Sequence, residues 1–397
     1  MCRLIKANLS TGLVIAMMAL AGVWHTRCLA VESTPAGRVI AFGPMLPSIT
    51  IAPAKVIAYP EAQNPHRQAP FRVDSNAPSL WIDHRLVVFH SWENIWRASG
   101  QNLETLSADQ ITRFANPKLN YLWFWLESAI QVDQAVIFGY YHQEVPNVCP
   151  PRKDATNPGY PVLVKIGAMR SRDSGFTWED FGTVIEGKDS EIKCKTDNPW
   201  YAGGAGDLNV FPDREANFYY FYYTNYSSDI EEQGLAVARL AARDRADPVG
   251  KVQRWYHGAW SEPGLGGHAT PTFPAAADIY RKEGQTFWGP VIHWNTYLGK
   301  YVMILNRTID AGWGTEGIYL SFSDDVSNPQ SWSAPVKIVD RVEATRGDPS
   351  KPTWNGWSAS LVGTGQGETD KQAAQTARLF IDGVSRWEVT FHKASAR

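Results

Sequence analysis

Gly206-Asp-Leu-Asn-Val-Phe-Pro-Asp-Arg-Glu-Ala-Asn-Phe-Tyr-Tyr-Phe-Tyr-Tyr223 reads as two strands and the turn that joins them. A short apolar run ends at Phe211, turn-forming residues follow from Asp213 to Asn217, and an unbroken aromatic run from Phe218 makes the second strand. Aromatic side chains fit a pleated, half-buried surface. Asp and Asn between two such runs favour a tight reversal, because their side chains bond nearby backbone amides.

The same pattern recurs along the chain. Asp74-Ser-Asn-Ala-Pro-Ser-Leu-Trp81 turns at Asp83-His84 into Leu86-Val-Val-Phe89. Trp125-Leu-Glu-Ser-Ala-Ile130 turns near Asp133 into Ala135-Val-Ile-Phe-Gly-Tyr-Tyr141. Trp288-Gly-Pro-Val-Ile-His-Trp294 turns at Tyr297-Leu-Gly-Lys300 into Tyr301-Val-Met-Ile-Leu305. A more diverged copy runs from Trp357-Ser-Ala-Ser-Leu-Val362 and reaches Arg378-Leu-Phe-Ile381 after a loop. Third-strand signals follow in four units, beginning at Ile95, Ile166, Gly234 and Gly317. Helical periodicity is weak throughout, strongest over residues 236–247, where it reads as the end of a strand. Radial repetition of such units predicts an all-β chain, a five-bladed β-propeller of four-stranded antiparallel blades spanning residues 71–397. A pair of β-sandwiches is the competing architecture.

Ser171-Arg-Asp-Ser-Gly-Phe-Thr-Trp178 matches the Asp-box pattern S-x-D-x-G-x-T-W. Gly175 supplies a positive-φ turn position, Asp173 bonds turn amides, and Trp178 packs the hairpin onto its blade. The motif marks architecture on the outside of a propeller, so Asp173 is read as structural.

The N-terminus carries Arg3 and Lys6, then an uncharged apolar run from Leu13 to Val23, then small-residue sites ending at Ala21 and Ala30. Residues 1–30 read as a secretory signal peptide, with an uncleaved anchor as the alternative. The expected location is secreted or periplasmic, with no stable membrane insertion after cleavage. Residues 31–70, rich in Pro and Ala, read as an extended lead-in. Cleavage after Ala30 removes Cys2 and Cys28 and leaves Cys149 and Cys194, an even pair that predicts one disulfide in an oxidising compartment. The 397-residue chain has a net charge of −2, about −5 without residues 1–30, and no basic stripe, which argues against a nucleic-acid partner. No Cys/His cluster of zinc spacing occurs.

The register of the units places Asp74, Glu127 and Asp207 at the starts of three successive innermost strands. One acid before a strand is usually a turn or cap residue. Three that ring one funnel suit glycoside hydrolysis, in which one carboxylate acts on water or the sugar and another carboxylic acid protonates the leaving oxygen. A third acid raises the donor's pKa. His293 on the fourth inner strand, Asn295, Trp288 and Trp357 are candidates for substrate binding, with core packing as the alternative for the tryptophans and for His293. Tyr141-His-Gln-Glu144 follows the second strand and is expected either to place His142, a further substrate-binding candidate, and Glu144 at the rim or to form a surface loop.

These features resemble the five-bladed propeller glycosidases, the arabinanase/β-xylosidase group and the related invertase/levansucrase group. The resemblance covers residues 70–393 at the level of fold. It implies a carbohydrate substrate and cleavage with inversion, with Asp74 as the base and a carboxylic acid as donor. Glu and Asp stand in reverse order on the second and third blades, so the donor and modulator roles of Glu127 and Asp207 stay interchangeable. It also implies no required cofactor, with room for a central structural calcium beside a channel histidine, here His293. The segments around Phe287–Asn295 and Tyr319 are similar to uncharacterised secreted relatives of these enzymes. A sialidase-like exoglycosidase fits less well, because no arginine triad is evident and sialidases have six blades. A non-catalytic propeller that binds glycan or protein is the reading from a different class.

Overall fold

The structure, a computed structural model, describes residues 37–60, 73–92, 94–121, 123–152, 159–345 and 356–394. The expected signal peptide, with Cys2 and Cys28, lies outside the described residues. Beyond a single turn of helix at Arg341–Thr345 and short 3-10 segments, the described chain is built from strands.

A hairpin of β1 (Arg38–Ala41) and β2 (Ser48–Ala58) leads into five successive antiparallel groups. The first is β3 (Ser79–Ile82), β4 (Arg85–Trp92), β5 (Asn94–Gly100) and β6 (Ser107–Ile111). A two-residue strand, β7 (Arg113–Phe114), then borders the second group of β8 (Trp123–Gln131), β9 (Ile137–Val145), β10 (Val162–Ser171) and β11 (Thr177–Ile185). The third is β12 (Tyr201–Pro212), β13 (Phe218–Asn225), β14 (Gly234–Ala241) and β15 (Gln253–Tyr256), widened by β16 (Ala259–Pro263) and touched by β17 (Phe273–Pro274). The fourth is β18 (Phe287–Asn295), β19 (Lys300–Thr308), β20 (Thr315–Ser323) and β21 (Val336–Asp340). The fifth contains β22 (Ser360–Gly363), the short β23 (Gln372–Ala373) against β18, β24 (Thr376–Ile381) and β25 (Val384–His392).

The fifth group continues outward into β2, antiparallel to β25, with β1 at the edge. Part of the segment read as a lead-in therefore belongs to the last sheet. Ile49 and Ile51 are buried while Thr50 and Ala52 are not, the period-2 pattern of a half-buried strand. Pro53 sits at a register break, where a missing N–H is tolerated.

Each group packs on the next through its own apolar cluster. Phe89 and Val87 of the first meet Leu126 and Met169 of the second. Ile166 and Tyr140 meet Leu208 and Phe221 of the third. Tyr222 and Val237 meet Ile292 and Met303 of the fourth, and Ile304 and Leu320 meet Leu379 and Phe391 of the fifth. The fifth then returns to the first, with Val362 and Phe380 against Leu86 and Val88. The first strands β3, β8, β12, β18 and β22 contact one another in that order.

The turn at residues 171–178 shows how local chemistry joins two groups. Asp173 accepts from the Thr177 amide at 2.8 Å and from its hydroxyl at 2.7 Å, and the Gly175 amide donates to Ser171 Oγ at 2.8 Å. Gly175 has φ +86°, and a Cβ there would collide with the ring of Phe89 in the first group. Trp178 is buried with its ring edge-on to Phe89, and Arg97 lies over Phe176 while its Nε donates to the Ser174 carbonyl. The turn thus packs on the neighbouring sheet as well as its own.

Candidate active site

The inner strands carry breaks at matching places. Glu127 is an extra residue between paired Leu126 and Ser128 of β8, and Asp207 is an extra residue between paired Gly206 and Leu208 of β12. On β18 the corresponding break falls at Gly289 and Pro290. Bulges bend a strand and re-aim one side chain out of the alternating pattern. The two acids therefore sit in mid-strand bulges, not at strand starts as the sequence register places them. Asp207 has φ +40°, a left-handed conformation that a non-glycine residue adopts at an energetic cost.

Glycines upstream bring Asp207 into place. β12 starts parallel to β10, and a Cβ on Gly204 (φ +101°) would overlap the backbone of Val164. Only glycine permits that approach, and three residues later the chain delivers Asp207.

The two bulges converge on His142 of β9. Its Nδ1 lies 3.1 Å from Glu127 Oε1 and 3.8 Å from Asp207 Oδ1. The closer contact is an ion-pair distance whose alignment falls short of a good hydrogen bond. The indole of Trp125 stacks on the imidazole at 5.0 Å. Asn76 completes the knot: its amide N–H donates to Glu127 Oε2 at 2.9 Å, and its side-chain Nδ2 donates to the carbonyls of Leu208 at 2.7 Å and Pro290 at 3.2 Å. One buried residue of the first group thus holds the second, third and fourth. The Tyr226 hydroxyl donates to Asp207 Oδ2, and the Tyr280 hydroxyl donates to the Tyr226 carbonyl at 2.5 Å. Asp74, half-buried ahead of β3, donates its own amide to Ser91 and acts electrostatically on Glu127, Glu144 and Tyr201.

Burial opposes a charge on His142, yet the Glu127 carboxylate, then Asp207 and Glu144, outweigh it and lift its pKa to about 9. Burial raises the Glu127 carboxyl above its ordinary value, with His142 pulling against it. Burial also raises Asp207; His142 opposes this, the Glu127 carboxylate adds to it, and the Tyr226 hydroxyl bond pulls it down. His142 and Glu127 share a proton, which at neutral pH rests on the imidazole. Glu144 is two residues beyond His142, on the same face of β9. Its Oε2 accepts from the Tyr160 hydroxyl, and burial pushes its carboxyl up to about 7.

Aromatic side chains line the approach at the entering ends of the inner strands. Trp123 stacks on Tyr160 at 5.5 Å, Tyr160 meets Trp200 edge-on at 5.7 Å, and Trp200 meets Trp357 at 6.0 Å. Tyr201 stacks on Tyr226 at 4.3 Å. Trp123, Tyr160, Trp200, Tyr201 and Trp357 are only partly buried. The Cys149–Cys194 disulfide ties the loop leaving β9 to the segment entering β12, beside this rim.

Of the residues singled out in the sequence, Glu127, Asp207 and His142 come together, with Asp74 in electrostatic range. Trp357 belongs to the aromatic rim, its Nε1 donating to the Trp313 carbonyl at 3.0 Å. Trp288 is buried behind it among Trp313 and Trp357, a packing position without access. His293 is not in the site. It lies between the fourth and fifth groups against Phe391 at 5.7 Å, and burial pushes its pKa down to about 3. Asn295 is not there either. It ends β18, roughly 23 Å along the strand from Trp288, where Oδ1 accepts from the Leu298 amide and Nδ2 donates to Ala374. Its pattern is that of a turn residue. Asn76, Tyr160, Trp200, Tyr201 and Tyr226 were not anticipated as site residues.

Glu127, His142 and Asp207 offer ligand atoms within 4.8 Å of one another. Calcium takes six to eight oxygens. Here a histidine nitrogen stands between the carboxylates, and its imidazolium occupies the electrostatic role of a cation. His293 is remote from the group, so the calcium implied by the resemblance does not fit these residues.

No protein-family model matches the chain, and no curated protein sequence matches it. Solved structures similar to it include a thermostable family-43 glycoside hydrolase, at 13% identity over 83% of this chain and 92% of that one, TM-score 0.44. An exo-1,5-α-L-arabinanase from a bovine ruminal metagenomic library is similar at 10% identity over 82% and 95%, TM-score 0.45. An endo-arabinase from Bacteroides thetaiotaomicron is similar at 11% identity over 86% and 98%, TM-score 0.44. Likeness at this level is too low to carry an activity or a residue's role across.

Proposed function

We propose that this protein is a secreted glycoside hydrolase built as a five-bladed β-propeller, which cleaves a plant or microbial oligo- or polysaccharide by direct attack of water. The architecture is supported by five antiparallel groups joined through five apolar clusters, the last returning to the first. The observation that carries the function is the convergence of Glu127, His142 and Asp207 from neighbouring groups, with Asp74 in range, below a partly exposed aromatic rim. Aromatic faces suit the apolar faces of sugar rings, and grouped carboxyls of unlike environment suit glycosidic cleavage.

In this reading Asp74, the half-buried acid, takes the proton from the attacking water. The Glu127–His142–Asp207 set supplies fixed charge and holds the pocket's shape. A neighbouring carboxylic acid protonates the leaving oxygen. Inversion follows from single displacement.

Incubation with arabinan, xylan and galactan, followed by reducing-end measurement, tests the reading. The expected result is new reducing ends from at least one polymer. Binding of a glycan without any release of ends would favour a non-catalytic glycan-binding propeller, for which the same aromatic rim would serve.

A further inference from the structure

Resting on the glycosidase reading, we propose that Glu144, not Glu127 or Asp207, is the catalytic acid that protonates the leaving oxygen. A proton donor must hold its proton until the bond breaks. Glu127 and Asp207 are arranged as acceptors. The Asn76 amide donates to one oxygen of Glu127, and the imidazolium of His142 faces the other. The Tyr226 hydroxyl donates to one oxygen of Asp207, and His142 faces its second at 3.8 Å. In each, a hydrogen-bond donor on one oxygen and the imidazolium charge beside the other favour the anion and work against burial.

Glu144 is placed differently. On β9 it follows His142 by two residues, so it points the same way but roughly 7 Å further along the strand, opposite Trp123 at the start of β8. That is the end at which Tyr160, Trp200 and Tyr201 form the rim. The Tyr160 hydroxyl fixes Oε2, and among the described residues no hydrogen bond is made to Oε1. The charged groups facing it are His142 from its own strand, Asp74 from the first group and Asp207 from the third; the phenols are Tyr160 and Tyr201. Burial is the main influence on its carboxyl; His142 and the Tyr160 hydroxyl pull it down and the two aspartates push it up, leaving it at about 7, so that about half of the molecules carry the proton at pH 7.

The step balances with one water. The water loses a proton to the Asp74 carboxylate as its oxygen bonds the anomeric carbon. The glycosidic C–O bond breaks, and the departing oxygen takes the proton from Glu144 Oε1. Asp74 then releases its proton to solvent and Glu144 regains one.

The test uses the sugar cleaved in the polysaccharide screen, presented as its 2,4-dinitrophenyl glycoside and its methyl glycoside. Glu144→Gln is expected to lose 100-fold or more on the methyl glycoside, where departure needs a proton, and under about tenfold on the dinitrophenyl glycoside, where it does not. Its kcat/KM should also lose the fall that wild type shows as pH rises through about 7. Equal losses on both glycosides, or an unchanged pH profile, would overturn the assignment. So would selective loss on the methyl glycoside in Glu127→Gln or Asp207→Asn in place of Glu144→Gln. Carboxyl NMR of 13C-labelled glutamate gives a readout independent of turnover: one signal, absent in Glu144→Gln, should titrate near 7. A Glu144 signal titrating below about 5, in the ordinary glutamate range, would overturn the assignment even in an active enzyme. A wild-type protein inert toward every polymer would overturn the glycosidase reading, and the donor role with it.

Discussion

The backbone amide of Asn76 donates to Glu127 Oε2 at 2.9 Å, joining the segment ahead of β3 to the bulge of β8. The same residue's side chain reaches the carbonyls of Leu208 and Pro290. A buried amide that satisfies two carbonyls from two other sheets fixes the spacing of the bulges, and with it the spacing of the acids.

Asn76→Ala should cost about 2–4 kcal/mol, because it leaves two buried carbonyls without a donor. Urea unfolding of the variant beside wild type measures this. A change below about 0.5 kcal/mol would show that the bonds do not hold the inner strands together.

The His142 and Glu127 pair makes stability depend on alkaline pH. The folded-state pKa of His142, about 9, lies above its ordinary value of 6.5. The added stability is therefore complete below about pH 6.5 and is lost as pH rises through about 9. Urea midpoints at pH 7 and pH 10 should fall further in wild type than in His142→Gln. Parallel loss in both proteins would mean that His142 carries no extra proton when folded.

The disulfide closes a loop with a sequence separation of 45. Replacing Cys149 and Cys194 together by Ser should cost about 2–4 kcal/mol, measured by urea unfolding without reductant. It should also raise KM more than it lowers kcat, because the bridge borders the Tyr160 and Trp200 rim while the buried acids are held elsewhere.

Trp178 is packed against Phe89 of the neighbouring group and closes the turn that begins at Ser171. Trp178→Ala should cost about 3–5 kcal/mol. Asp173→Ala, which removes turn bonds at a partly exposed site, should cost less, about 1 kcal/mol. Thermal or urea unfolding ranks the two, and the reverse order would place the turn's stability in its hydrogen bonds and not in its packing.

Much of the strand pattern was legible because each hairpin carries its own signal. Aromatic runs such as that from Phe218 to Tyr223 and turn residues such as Asp213 act within a few positions of one another. The closing strand β2 was missed because Pro53 and three alanines obscure its alternation, and its partner β25 lies more than 300 residues away. Among the acids, residue type and repeat register sufficed to select Glu127 and Asp207. Register could not reveal that both occupy bulges, because a bulge is defined by the partner strand. His293 failed for a related reason. Val291 and His293 share a face of β18 that packs on the fifth group, and adjacency to an inner strand does not say which face meets the pocket. Tyr226 and Asn76 had no motif to mark them, since their roles depend on contacts spanning 19 and 214 residues.

The central claim, that the pocket hydrolyses glycosidic bonds with Asp74 acting on water, is tested most directly by Asp74→Asn. Its turnover of the cleaved polysaccharide should fall by at least about 100-fold, while its urea midpoint stays close to that of wild type. Unchanged release of reducing ends by a folded Asp74→Asn protein would contradict the account.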